Sequence, residues 1–131
     1  MAGYSGTPLP QKLGIKAGHR VLLVRAPSTF ELAAADVAVQ RRAGRAPYDV
    51  VLAFSPDRAA AVRHFEDLPA RVTTPGALWL AWPKKTSGVR TDLDENVVRR
   101  IGLDAGLVDV KVCAIDDTWS GLKFVRRVRD R

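Results

Sequence analysis

Six apolar residues in succession, Ala77 to Trp82, lie between a turn signal, Pro75-Gly76, and a second proline, Pro83. An unbroken apolar run of this length is what a strand covered on both sheet faces requires. Proline has no N–H to give to a sheet ladder, so Pro83 should end the strand. Pro75-Gly76 should turn the chain into it. Such a strand needs partners on either side and a layer over each face, and this requirement constrains the chain more than any other feature. Immediately beyond it stand Lys84, Lys85, Thr86 and Ser87. Ligands of open α/β sheets sit outside the carboxyl ends of the strands, so a site is expected here.

Other segments supply the partners. Arg20–Arg25, Asp36–Arg41 and Tyr48–Phe54 read as strands, as do Leu107–Ile115 and Ser120–Val128. Leu9–Ile15 should form a short helix. Ser28, with Glu31 three residues on, has the form of a capping box for a helix through about Ala34. Ser55-Pro56-Asp57 should open a helix to about Glu66, with Ala61, Val62, Phe65 and Leu68 facing inward. Thr91 should cap a helix carrying Leu93, Val97, Val98 and Ile101, ended by Gly106. Strands alternating with helices imply a mainly parallel sheet covered on both faces. The short Asp116–Trp119 connection makes the last two strands an antiparallel hairpin. The expected fold is one three-layer, Rossmann-like α/β domain over residues 1–131, loop-like at 1–8 and with a basic tail at 127–131.

A chain of 131 residues can bury roughly two-thirds of its unfolded surface, and 47% hydrophobic content suits that. The one cysteine, Cys113, cannot form an internal disulfide, which favours a reducing, cytoplasmic setting. Neither a leader pattern nor an apolar run of the ~20 residues a membrane helix needs is visible. Net charge is +7. A basic surface can attract nucleic acid, but no stretch interleaves aromatic with basic residues as a stacking platform would.

Lys12-Leu-Gly-Ile-Lys16, Trp82-Pro-Lys-Lys85 through Val97-Val98, and Val112 to Leu122 resemble an uncharacterised bacterial family of short α/β proteins, a domain of unknown function. That resemblance covers nearly the whole chain and implies no activity. Asp49-Val-Val-Leu-Ala-Phe54, a helix, Pro75-Gly76 with its strand, another helix and a final hairpin are similar, more loosely, to the S-adenosylmethionine-dependent methyltransferase fold. The resemblance implies a cofactor held by a glycine-rich turn after the first strand and an acidic residue after the second. Here the first strand leads into Arg25-Ala-Pro-Ser-Thr-Phe30, without glycine, and the second ends in Gln40-Arg41-Arg42. Both departures count against cofactor binding, because a phosphate or ribose close to the backbone needs small residues and exposed N–H groups.

Four loops should meet at the carboxyl edge, gathering Lys84, Lys85, Ser87, Asp116, Asp117, Trp119 and Ser28 as candidate ligand-binding residues. Lys84 or Lys85 would meet an anionic group while Asp116 or Asp117 accepts hydrogen bonds. Alternatively, Lys84 pairs with one of these carboxylates and Trp119 covers the sheet end. His19 and His64 have no second ligand at metal spacing. No nucleophile–base grouping or phosphate-loop motif is visible. The expected function is a non-catalytic domain, without cofactor or metal, that binds a small anionic ligand or a protein. The alternatives are a divergent methyltransferase using Ala26–Ser28 as an unorthodox cofactor loop, and nucleic-acid binding through the basic tail.

Overall fold

The computed structural model describes residues 6–131; the expected loop at 1–5 lies outside them. Nine elements follow in order: α1 (Leu9–Lys12), β1 (Arg20–Val24), β2 (Ala38–Gln40), β3 (Tyr48–Phe54), α2 (Arg58–Asp67), β4 (Val72–Pro83), α3 (Glu95–Asp104), β5 (Leu107–Ala114) and β6 (Trp119–Arg126). The six strands form one sheet in the order β2-β1-β3-β4-β6-β5. The first four are parallel, and β6 runs antiparallel to both β4 and β5. This is the expected Rossmann-like α/β fold with a C-terminal antiparallel hairpin.

β4 sits near the centre, and its apolar run is buried throughout, from Ala77 to Pro83. The chain does not turn into β4 at Pro75-Gly76. The strand begins at Val72, and residues 73–76 bulge out, since Tyr48 pairs with Val72 while Val50 pairs with Ala77. Gly76 permits the bulge: a Cβ there would lie 2.6 Å from Thr73 Oγ1 and 2.7 Å from the Asp49 carbonyl.

Alternation along the strands sends two apolar sets to opposite faces. One set, including Val51, Leu78, Leu80, Leu122 and Phe124, packs under α2 and α3. Asp57 caps α2 through the Ala60 N–H, and Asp94 caps α3 through the Val97 N–H. Asp94, not Thr91, is therefore the α3 cap. Thr91 instead donates to the Pro56 carbonyl and accepts from the Leu93 N–H, and Asp92 accepts from the Arg58 N–H, joining the start of α3 to the start of α2. Arg99 binds Glu95 on its own helix and Asp109 on β5. Gly102 lies against Phe124; a Cβ there would come within 2.1 Å of the ring.

Among the described residues the other face has no long helix. It is covered by α1, the loop after it, and the 26–37 segment. The expected helix over 28–34 does not form. Burial alternates there, with Phe30 in, Glu31 out, Leu32 partly in and Ala33 out, so the segment lies extended across the sheet. Leu13 and Ile15 are buried on this face, and the Trp79 indole N–H donates to the Leu13 carbonyl at 3.1 Å. The basic tail is not extended: Val128–Asp130 forms a 3₁₀ turn, and the Arg131 Nε donates to the Arg126 carbonyl.

Candidate functional site

The carboxyl ends of β1, β3, β4 and β5 meet the start of β6 on one edge, where Pro83 pairs with Trp119 and Ala114 with Ser120. Six of the seven predicted residues follow a strand end or begin β6 here, and Ser28 lies in the loop after β1. They do not form a single pocket. Lys84 and Lys85 line an open depression of about 410 Å³ with Trp82, Asp94, Asn96 and Ser120. Asp116 and Trp119 line another, of about 420 Å³, with Pro27, Phe30, Glu31 and Thr118.

The polar groups differ in how far they are committed. Asp116 Oδ1 accepts from the backbone N–H groups of Thr118 and Trp119, each at 2.8 Å, so this carboxylate builds the hairpin turn. Ser87 Oγ donates to the Lys84 carbonyl at 2.6 Å and accepts from the Val89 N–H, closing the 3₁₀ turn at Lys85–Ser87. Asp117 and Ser28 are exposed. Among the described residues no ion pair joins Lys84 or Lys85 to Asp116 or Asp117. Half-buried Lys84 and exposed Lys85 are thus cations of this edge with no carboxylate ion-paired to them among the described residues. The depression they line also contains the acidic Asp94 and Glu95 at the start of α3.

The turn after β1 is the segment that would have to hold an S-adenosylmethionine cofactor. Arg25 is left-handed (φ 55°), a conformation costly for any residue but glycine. Pro27 has no N–H, and its carbonyl accepts from Phe30 at 2.9 Å. Arg41, just beyond β2, reaches back: its guanidinium donates to the Pro27 carbonyl at 3.4 Å and to the Phe30 carbonyl. The buried Phe30 ring meets Phe54 edge-on at 4.9 Å, and Phe54 meets Trp119 in the same way at 5.1 Å. A basic side chain thus ties this turn down by its carbonyls, where a nucleotide cofactor needs an acidic partner and open N–H groups. The residues present do not fit the cofactor.

A buried pair went unnoticed in the sequence. Ser55, at the end of β3, is fully buried, and its Oγ lies 2.8 Å from His64 Nδ1. Burial, reinforced by the positive charges of Arg25 and Arg63 and opposed by Asp67, holds the His64 imidazole below its ordinary value. His64 therefore belongs to the inward stripe of α2, with Ala60, Ala61 and Phe65. The signal was present: positions 61, 64, 65 and 68 fall on one side of a helix at 100° per residue, with Val62 at its margin, partly buried against the same core. With Ser55 sealed from solvent, the pair anchors α2 to β3 and presents no nucleophile. Among the described residues no three His, Cys, Asp or Glu side chains gather as a metal site, and no helix is long and apolar enough to cross a membrane. Burial raises the Cys113 thiol above its ordinary value, the reverse of what a reactive thiolate needs.

No protein-family model matches the sequence, and no curated protein matches it. Solved structures do match in fold, methyltransferases among them. The TehB-like SAM-dependent methyltransferase of Corynebacterium glutamicum superposes with a TM-score of 0.60 at 6% identity, covering 91% of this chain and 85% of that one. The ribosomal protein L11 methylase of Lactobacillus delbrueckii subsp. bulgaricus gives 0.59 at 11% identity, covering 91% and 75%. The chain spans 51% of the length of a Pyrococcus furiosus methyltransferase, with 70% of this chain covered, 16% identity and a TM-score of 0.48. The fold is that of the SAM-dependent methyltransferases.

Proposed function

We propose that this chain is a binding domain built on the methyltransferase fold, which takes a small anionic group at its carboxyl edge through Lys84 and Lys85 and transfers no methyl group. The observation that carries this reading is the Arg41 guanidinium on the Pro27 and Phe30 carbonyls. A donor group occupies the approach to the turn after β1, and the carbonyls it holds cannot cradle a nucleotide. Lys84 follows the central strand directly and has no carboxylate partner among the described residues. The N-terminal turn of α3 opens beside it, and its dipole favours negative charge. Asp116, in the neighbouring depression, keeps one oxygen beyond the turn it builds, available to a donor on a protein partner.

One observation favours a second reading, a divergent methyltransferase. Arg25 adopts at the end of β1 the left-handed conformation that glycine adopts freely, so the turn keeps that local shape without the residue. Thermal-shift titration with S-adenosylmethionine and S-adenosylhomocysteine separates the two readings. A ligand at one hundred times its Kd stabilises by about 2.7 kcal/mol, on the order of 10 °C in a domain of this size. The binding-domain reading expects no shift at millimolar ligand. A saturable rise would replace it with the methyltransferase.

A further inference from the structure

At the other end of the sheet, the loop after α1 lies over β4 and β6, pinned where Trp79 donates to the Leu13 carbonyl. Between that loop and the amino ends of β3 and β4 is a cavity of about 350 Å³, whose walls include Lys16, His19, Thr73 and Lys123. Lys123 on β6 stands directly opposite Lys111 on β5, and like charges in that register destabilise a sheet. Lys111 and Lys16 both act electrostatically on the Lys123 ammonium, and burial with these two charges lowers its proton affinity. Among the described residues no carboxylate forms an ion pair with Lys16, Lys111 or Lys123. Lys111 Nζ donates only to a neutral group, the Lys12 carbonyl at 3.3 Å.

Other groups of the cavity suit an acceptor-rich ligand. His19 Nδ1 accepts from the Lys16 N–H at 3.1 Å, which places the proton of a neutral ring on Nε2 as a donor. The Thr73 hydroxyl is buried with no hydrogen-bond partner. Gly14, at φ 76°, brings the loop backbone beside the Lys123 ammonium, at ordinary contact distance. The one carboxylate on the wall, Asp49, accepts from the Arg20 N–H through Oδ2 at 2.8 Å.

We propose that this cavity, walled by Lys16, His19, Thr73 and Lys123 with Lys111 beside it, binds a small oxyanion of the phosphate or phosphomonoester class. Such an ion is the counter-charge that the facing lysines lack. The site is separate from the Lys84 edge and stands or falls independently of the function proposed there.

Calorimetric titration of the whole chain with inorganic phosphate, and in parallel with glycerol 3-phosphate, tests it. A saturable site that depends on Lys123 is expected for the better of the two. Lys123→Gln should weaken binding about tenfold or more, as loss of a charge-assisted hydrogen bond does. It should also raise the melting temperature of the unliganded protein, because like-charge repulsion is relieved. Arg100→Ala, an exposed cation on α3 across the sheet, should leave phosphate binding unchanged. Tighter binding of glycerol 3-phosphate would support the site with a phosphomonoester as occupant; tighter binding of phosphate would support it with the free ion. Binding that survives Lys123→Gln unaltered, or that Arg100→Ala abolishes instead, would overturn the proposal. Absence of saturable heat at tens of millimolar would do so as well. So would displacement of phosphate by single-stranded oligonucleotide with a steep salt dependence, which would make the patch a nucleic-acid surface.

Discussion

The two faces of the sheet are closed by different means. Under α2 and α3 the cover is periodic: Ala61, His64, Phe65, Val98 and Ile101 descend onto Leu78, Leu80 and Phe124. On the other face a four-residue helix, a loop and an extended segment do the same work, held by single hydrogen bonds such as Trp79 to Leu13 and Arg41 to Pro27. The helical face has little freedom to vary because its cover is packed along its length. The loop face can shape itself locally, and it carries the sealed turn after β1 and the lysine cavity. Regular helical packing covers one side of this domain, and the proposed recognition groups lie on the other side and at the strand ends.

Substitutions can break or sharpen that contrast. Gly102→Ala would drive a methyl group into the Phe124 ring, and overpacking of this kind costs about 3 kcal/mol. Urea denaturation should show this as a lowered midpoint for the whole molecule. Trp79→Phe, on the loop face, keeps an aromatic ring but leaves the Leu13 carbonyl without its donor. A loss of about 2 kcal/mol is expected, with hydrogen exchange rising first over residues 9–18. A uniform rise across α2 and α3 as well would show that the two faces are not separable.

Ser55→Ala removes the partner of His64 Nδ1 and should cost about 1 kcal/mol. The histidine itself gives a pH signature. Its folded-state affinity for protons is depressed, whereas the unfolded chain protonates near its ordinary 6.5. Stability is therefore complete above that pH and falls as pH drops toward the lower folded value, where the loss levels off. Melting temperatures recorded from pH 7 to pH 5 should decline more steeply for the wild type than for His64→Gln. Lys84→Ala should be the mildest change, within about 0.5 kcal/mol of wild type. Its effect belongs in ligand binding at the carboxyl edge, and a large loss of stability would mean that Lys84 is a structural residue.

The helical face was also the face legible in the sequence. Val97, Val98 and Ile101 carry a helical period, and the short apolar runs of β1, β3 and β4 between turn signals suit strands covered on both faces. Where the loop face was concerned, local signals misled. Ser28 and Glu31 have the spacing of a capping box, but Phe30, Leu32 and Ala34 alternate inward over the sheet, and tertiary burial overrode the cap. One misleading signal lay on the helical face: Thr91 is a step in the chain of turns leading into α3, and Asp94 makes the cap. The residues flanking the carboxyl edge could be placed from the strand ends alone. Their division between two depressions, and the facing of Lys111 with Lys123, depend on strand register, which linear order does not carry.

The central claim is that the turn after β1 is tied shut by Arg41, and amide hydrogen exchange at Phe30 tests it most directly. Its N–H is bonded to the Pro27 carbonyl at 2.9 Å inside the segment that Arg41 holds. In the wild type this amide should exchange well below the free-peptide rate, and Arg41→Ala should speed it by about tenfold without altering the β3 and β4 amides. An unprotected Phe30 amide in the wild type, or one indifferent to Arg41→Ala, would contradict the account and reopen the turn to a cofactor.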